Sequence, residues 1–135
     1  MNRPNKNEYY LNIAEAVMQR STCLRRKYGA VIVKDDEIIA TGYNGAPRGS
    51  VNCCETGFCY RQAHEIPHGE QYEKCRSVHS EMNAIISASR RDMIGATLYL
   101  ASDYPNAEPC DICKRLIKNA GIERVITREK QQSIL

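Results

Sequence analysis

The 135 residues contain no apolar run long enough for a secretory signal or a membrane span, no internal repeat and no low-complexity segment. A spanning helix needs roughly 20 consecutive apolar residues, so no membrane partner is expected. Charge of one sign is also in short supply, with 19 Lys and Arg against 16 Asp and Glu for a formal net charge of +3. Basic side chains gather at Arg25-Arg26-Lys27 and Arg90-Arg91. That is too mild for a protein living on nucleic-acid backbone, though it suits a small anionic ligand. Cysteine, by contrast, is plentiful at seven. An odd count with no secretory signal favours thiols that bind metal over a disulfide scaffold. The expectation is one domain, residues 1–135, in the cytoplasm.

Periodicity gives a coarse order of elements. Tyr10, Ile13, Ala14 and Val17 recur at helical spacing and predict a helix over Glu8–Gln19. Ala30–Val33 and Glu37–Gly42 are extended runs around Asp35-Asp36, which reads as an antiparallel hairpin. Residues 45–76 break periodicity and hold several glycines, two prolines, four cysteines and both His64 and His68. A structureless stretch this long needs something to organise it, and metal is the candidate. Helical spacing returns with Met82, Ile85, Ile86 and Ser89, predicting a helix over Ser80–Arg91. Ala96–Leu100 reads as a buried strand, Cys110–Ala120 as a helix with Ile112, Leu116 and Ile117 on one side, and Ile122–Thr127 as the last strand. Strand, helix, strand over this length implies a parallel pair with a right-handed crossover. The whole predicts an α/β domain with a mixed sheet.

Two short stretches carry the chemistry: His79-Ser80-Glu81 and Pro109-Cys110-Asp111-Ile112-Cys113. One imidazole and two thiols make a three-ligand set, the number a catalytic zinc takes when it keeps its fourth position for water. Water held by zinc is acidified toward neutrality, and a carboxylate that does not ligate the metal can move its proton. H-x-E with P-C-x-x-C is a known mark of zinc nucleobase deaminases. Cys110 and Cys113 share a helix face one turn apart, and a helix amino terminus favours the thiolate that ligates. A lone C-x-x-C is also a redox motif, but that reading leaves His79 and Glu81 without a role. The set uses two cysteines and one histidine, so five cysteines and two histidines remain to be explained.

With those residues in place, the chain resembles the cytidine and deoxycytidylate deaminase superfamily, and within it the deoxycytidylate (dCMP) deaminases. The resemblance runs from about Tyr9 to Thr127. It includes Ser21-Thr22-Cys23-Leu24-Arg25, Gly29 to Asp35, and Gly42-Tyr43-Asn44-Gly45-Ala46-Pro47 followed by Asn52-Cys53. It implies a three-layer cytidine-deaminase-like fold, a central mixed β-sheet flanked by helices. It implies that His79, Cys110 and Cys113 hold the catalytic zinc, and that Glu81 protonates the ring nitrogen N3 and passes a proton to the leaving ammonia as dCMP becomes dUMP, the precursor for thymidylate synthesis. Asn44 would bond the nucleotide near sugar and base, its alternative being a turn asparagine before Gly45. Arg90 falls where the family places an arginine on the 5′-phosphate, with Arg25 or Arg26 assisting. Its alternative is a helix-end arginine complementing the dipole.

The resemblance also implies a second, structural zinc, with Cys23, Cys53, His68 and Cys75 as candidate ligands and Cys54, Cys59 and His64 as alternatives. The alternative, reduced cysteines packed as small hydrophobes, is hard to sustain for so many in one polar loop. Family members assemble as dimers or hexamers, so a homo-oligomer is implied. dCTP and dTTP are implied as effectors, through Tyr43–Pro47 and with Mg2+ accompanying a nucleotide effector. Two departures stand out. Ser80 replaces the alanine usual between His and Glu, at a position where the backbone is expected to face the base. The approach to the cysteines, Ser102–Glu108, is longer than usual. Rival readings are another substrate (dCTP, cytidine or a tRNA adenosine) and a zinc-stapled binding module without chemistry.

Overall fold

The computed structural model describes residues 2–67, 75 and 77–133. The first element, α1, spans Lys6–Met18, and Asn5 caps it by accepting a hydrogen bond from the Glu8 N–H at 2.9 Å. A hairpin follows, β1 over Tyr28–Lys34 and β2 over Glu37–Tyr43. Asp35 and Asp36 turn it with φ of 51° and 62°, a left-handed pair that matches the twist of the flanking strands and that aspartate tolerates. Two single-turn helices, α2 (Cys53–Thr56) and α3 (Tyr60–Ala63), lie within the aperiodic stretch.

Helix α4 covers Ser80–Ile86 and α5 covers Arg90–Met93. The single helix expected over Ser80–Arg91 is therefore broken. Ser89 takes extended geometry and its hydroxyl accepts from the Asp92 N–H, starting a new helix. Strand β3 spans Thr97–Ser102, α6 spans Asp111–Ala120, β4 spans Arg124–Ile126, and β5 spans Gln131–Ser133, a strand that periodicity did not predict. Gly121 ends α6 at φ 91°, the left-handed position glycine takes without strain.

The sheet order is β2-β1-β3-β4-β5. β1 pairs antiparallel with both β2 and β3, and β3 pairs parallel with β4 across the α6 crossover. Alternation along the strands divides the core in two. Ala30, Ile32, Leu98 and Leu100 face Ala84, Ile85, Cys113 and Ile117 of α4 and α6. Val31, Val33, Tyr99 and Ala101 face Tyr10, Leu11, Ala14 and Met18 of α1. This is the expected three-layer arrangement, a mixed sheet between helices. On α6 the inward set is Cys113, Ile117 and Ala120, whereas Ile112 is half exposed, which corrects the face first assigned to it. Among the described residues no helix is long and apolar enough to cross a membrane.

Candidate active site

Both chemical motifs sit at helix starts. His79 is the residue before the first turn of α4, and Cys110 is the N-cap of α6, its sulfur accepting from the Cys113 N–H at 3.5 Å. The two helices pack side by side against the same face of the sheet. Their amino ends therefore meet. His79 Nδ1 lies 3.6 Å from Cys110 Sγ and 3.4 Å from Cys113 Sγ. Zinc bonded at about 2.3 Å to sulfur and 2.0–2.1 Å to nitrogen in tetrahedral geometry separates S and N by about 3.5 Å. The three side chains already stand at ligand spacing. Among the described residues this is the only group of three metal-ligating side chains drawn together.

The electrostatics fit ligation. The hydrogen bond with Cys113 pulls the Cys110 thiol down to about 3, with the imidazole of His79 and the Cys113 N–H adding to it, while the same sharing and burial push Cys113 up. His79 is raised, first by its hydrogen bond with Cys110. The lowered Cys110 thiol favours the thiolate, the form that ligates a metal. Glu81 is 4 % exposed, and burial raises its carboxyl, opposed by a hydrogen bond from Ser80 at 2.7 Å. Glu81 is beside the ligands and is not one of the cluster.

A cleft opens over this group. Asn44, Arg25, Arg26, Cys23 and Cys75 line it together with His79, Glu81 and Cys110. Asn44 is buried, its Oδ1 accepting from the Tyr28 N–H at 2.9 Å and the Ser21 hydroxyl at 2.5 Å, and its Nδ2 donating to the Arg26 carbonyl at 2.9 Å. Both oxygen lone pairs are used and one amide hydrogen remains. Arg25 Nη1 and Ser77 Oγ are buried and make no hydrogen bond among the described residues, and both residues line the cleft. Arg26 lies over the Tyr104 ring, 3.6 Å from its centroid. The lengthened approach Ser102–Glu108 is thereby latched to the arginine loop, with Lys27 N–H donating to Asp103 at 3.0 Å and the Ser102 hydroxyl donating to the Lys27 carbonyl at 2.8 Å.

Other expected site residues lie elsewhere. Arg90 is not among the residues lining the cleft; its Nε donates to the Asn119 carbonyl in the last turn of α6 at 3.1 Å. The Ser80 side chain is fully buried, bonds Glu81 and is not among the residues lining the cleft. Among the described residues Cys23, Cys53 and Cys75 form no three-ligand group, and neither do Cys54, Cys59 and His64; His68 lies outside the described residues. Arg61, Tyr28, Ser77 and Glu108 line the cleft without having been singled out. Arg61 is 6 % exposed, with Nη2 donating to the Pro67 carbonyl at 3.0 Å. It sits on a one-turn helix, where no periodicity marks it.

Three convergent ligands, a buried carboxylate beside them and a cleft above define a zinc deaminase site. The family model for the cytidine and deoxycytidylate deaminase zinc-binding region matches residues 4–129. The deoxycytidylate deaminase of Mycobacterium phage D29 is 45% identical over 131 residues, covering 93% of this chain and 96% of that protein. The solved dCMP deaminase of cyanophage S-TIM5 superposes with a TM-score of 0.67 at 30% identity, over 94% of this chain and 85% of that one. The same phage enzyme has been solved in complex with dCMP and dUMP. Cytidine deaminase of Mycobacterium leprae, at 14% identity and a TM-score of 0.60, shares the fold. The chain belongs to the cytidine and deoxycytidylate deaminase family.

Proposed function

We propose that the chain hydrolyses dCMP to dUMP and ammonia, in the cytoplasm, where the product supplies thymidylate synthesis. The observation that carries this reading is the His79, Cys110 and Cys113 triad at zinc-ligand spacing with Glu81 buried beside it. Likeness to the D29 phage protein along almost its whole length supports the choice of dCMP.

Zinc held by His79, Cys110 and Cys113 would supply a water acidic enough to lose a proton near neutrality. Glu81 takes that proton and delivers it to N3, which draws electrons from C4 as water oxygen bonds there. Glu81 then moves the second water proton to the exocyclic amine, the C4–N4 bond breaks, and ammonia leaves with the bonding pair. Each proton and oxygen of one water is accounted for in dUMP and ammonia.

Asn44 offers its remaining amide hydrogen to the sugar side of the nucleotide. Arg25, with its buried Nη1 unpartnered among the described residues, Ser77 beside it and Arg26 held by Tyr104, makes the cationic end of the cleft that suits a 5′-phosphate. The phosphate role moves from Arg90 to this group. A structural zinc on Cys23, Cys53, Cys75 and His68 rests on family resemblance, as do the homo-oligomer and the dCTP and dTTP effectors with Mg2+.

The test is ammonia release by purified protein from dCMP, dCTP, cytidine and a tRNA substrate, with zinc per chain measured in parallel. Preferred turnover of dCMP is expected, and Glu81→Gln should remove it while zinc stays bound. Full activity in that variant would sink the role of Glu81, and no release from any of the four would favour a binding module. One zinc per chain removes the second site and two support it.

A further inference from the structure

Ser80 departs from the alanine usual in this family, and the structure gives its hydroxyl a specific partner. Side chains at adjacent helical positions point about 100° apart and do not ordinarily meet. Here Ser80 Oγ donates to Glu81 Oε1 at 2.7 Å, with Ser80 wholly buried and Glu81 nearly so. That length is typical of a hydroxyl bonded to a carboxylate. Glu81 lines the cleft and Ser80 does not, so the bond is made from behind the carboxylate.

The turn that carries both residues is itself fixed. His79 O accepts from the Asn83 N–H at 3.0 Å, Asn83 Nδ2 donates to the Tyr43 carbonyl at 2.8 Å, and Gly42 abuts the Ser80 carbonyl. The hydroxyl therefore acts from a rigid base on a side chain with three torsions of its own. A carboxylate left untethered would spread over rotamers, only some of which present an oxygen to N3.

We propose that Ser80 is a positioning residue for the reaction. By holding Oε1 it leaves Oε2 as the oxygen that carries protons from water to N3 and then to the departing amine. The inference rests on the deaminase reading above, with Glu81 as proton carrier. Ser80 touches neither substrate nor metal in this scheme, so its loss affects the geometry of proton transfer and leaves nucleotide binding alone.

The experiment compares wild type with Ser80→Ala and Ser80→Thr for kcat and KM on dCMP, zinc content, thermal stability, and inhibition by dUMP and by a ring-reduced dCMP analogue bearing a hydroxyl on tetrahedral C4. Ser80→Ala is expected to lower kcat about tenfold and weaken the analogue by a similar factor, with KM and dUMP inhibition within about twofold of wild type. Ser80→Thr, which keeps the hydroxyl, should recover most of the loss. The proposal is overturned by a Ser80→Ala kcat within about twofold of wild type. It is equally overturned if kcat falls only in step with zinc content or thermal stability, since that would make Ser80 a packing residue. Absence of dCMP turnover in wild type would instead strike the functional reading, and it shows before any variant is made.

Discussion

Gly42 of β2 and Ser80 of α4 are in backbone contact: a Cβ on Gly42 would stand 2.4 Å from the Ser80 carbonyl oxygen and 2.4 Å from the Ala84 nitrogen. Glycine is required here for close approach, as both contacts are to backbone that cannot swing aside. The contact sets how far α4 sits above the sheet, and with it the height of His79 and Glu81. Gly42→Ala should destabilise the fold by about 3 kcal/mol and lower kcat in whatever fraction stays folded. Thermal melts with kcat per zinc-loaded site would check this. An alanine variant with wild-type stability would show that α4 can ride outward.

Arg90 and Arg25 separate two readings of the same chemistry. Arg90 spends its Nε on the Asn119 carbonyl at the end of α6, an interaction worth about 0.3–1 kcal/mol to the helix. Arg90→Ala should therefore leave KM for dCMP unchanged and slightly lower thermal stability. Arg25→Ala removes a buried guanidinium nitrogen with no hydrogen-bond partner among the described residues. If that nitrogen meets the 5′-phosphate, KM should rise about ten- to a hundredfold, the range of a lost hydrogen bond to a charged group, with little effect on the nucleoside. A rise in KM for Arg90→Ala alone would restore the assignment that the family resemblance implies.

These two arginines also show what could be read from the chain. His79 and Cys110 were legible because each motif is local and each opens a helix, so the packing of α4 on α6 brings together side chains already aimed the same way. The α/β order and mixed sheet followed from apolar runs in the strands and period 3.6 in α1 and α6, while the three layers came with the family resemblance. Arg90 was given the phosphate by resemblance; in the structure Ser89 interrupts the helix expected over Ser80–Arg91, and Arg90 turns to the Asn119 carbonyl. The Ser89 to Asp92 capping pair was a signal available for that break. Arg61 was invisible, since a one-turn helix has no period and burial of a guanidinium depends on chain segments far apart in sequence. The Ser80 to Glu81 bond was not legible, because only coordinates reveal a bond between adjacent side chains.

The Tyr10 hydroxyl donates to Asp36 at the hairpin turn, and Lys6 reaches the other carboxylate oxygen at 2.8 Å. Lys6 first, then Tyr10, holds the Asp36 carboxyl below its ordinary value, and Asp36 with burial pushes Tyr10 up to about 12. The signs are opposite. Asp36 binds its proton less readily when folded, so its stabilising effect is present above the unfolded carboxyl value and fades as pH falls through the lowered one. Tyr10 binds its proton more readily when folded, so its share is complete below about pH 10 and fades as pH rises toward 12. The stability difference between wild type and Asp36→Asn should be flat across neutral pH and shrink at both extremes. Phenolate absorbance of Tyr10 should also appear at lower pH in the variant. A difference that peaks at either extreme would contradict the tether.

Asn44 fastens the loop that carries the cationic end of the cleft. Its side chain satisfies the Tyr28 N–H, the Ser21 hydroxyl and the Arg26 carbonyl at once, so Asn44→Ala strands buried groups on three segments at a cost of about 2–3 kcal/mol. Asn44→Asp keeps the acceptor oxygen but places a second oxygen against the Arg26 carbonyl, and it removes the amide hydrogen offered to the nucleotide. Both variants should raise KM for dCMP. They differ in kind: alanine loosens the Arg25 loop and should raise its protease sensitivity, whereas aspartate adds negative charge beside the phosphate end and its effect on KM should weaken in high salt. Kinetics at two ionic strengths with limited proteolysis would separate them. Unchanged KM in both variants would mean that Asn44 serves the loop without bearing on the nucleotide.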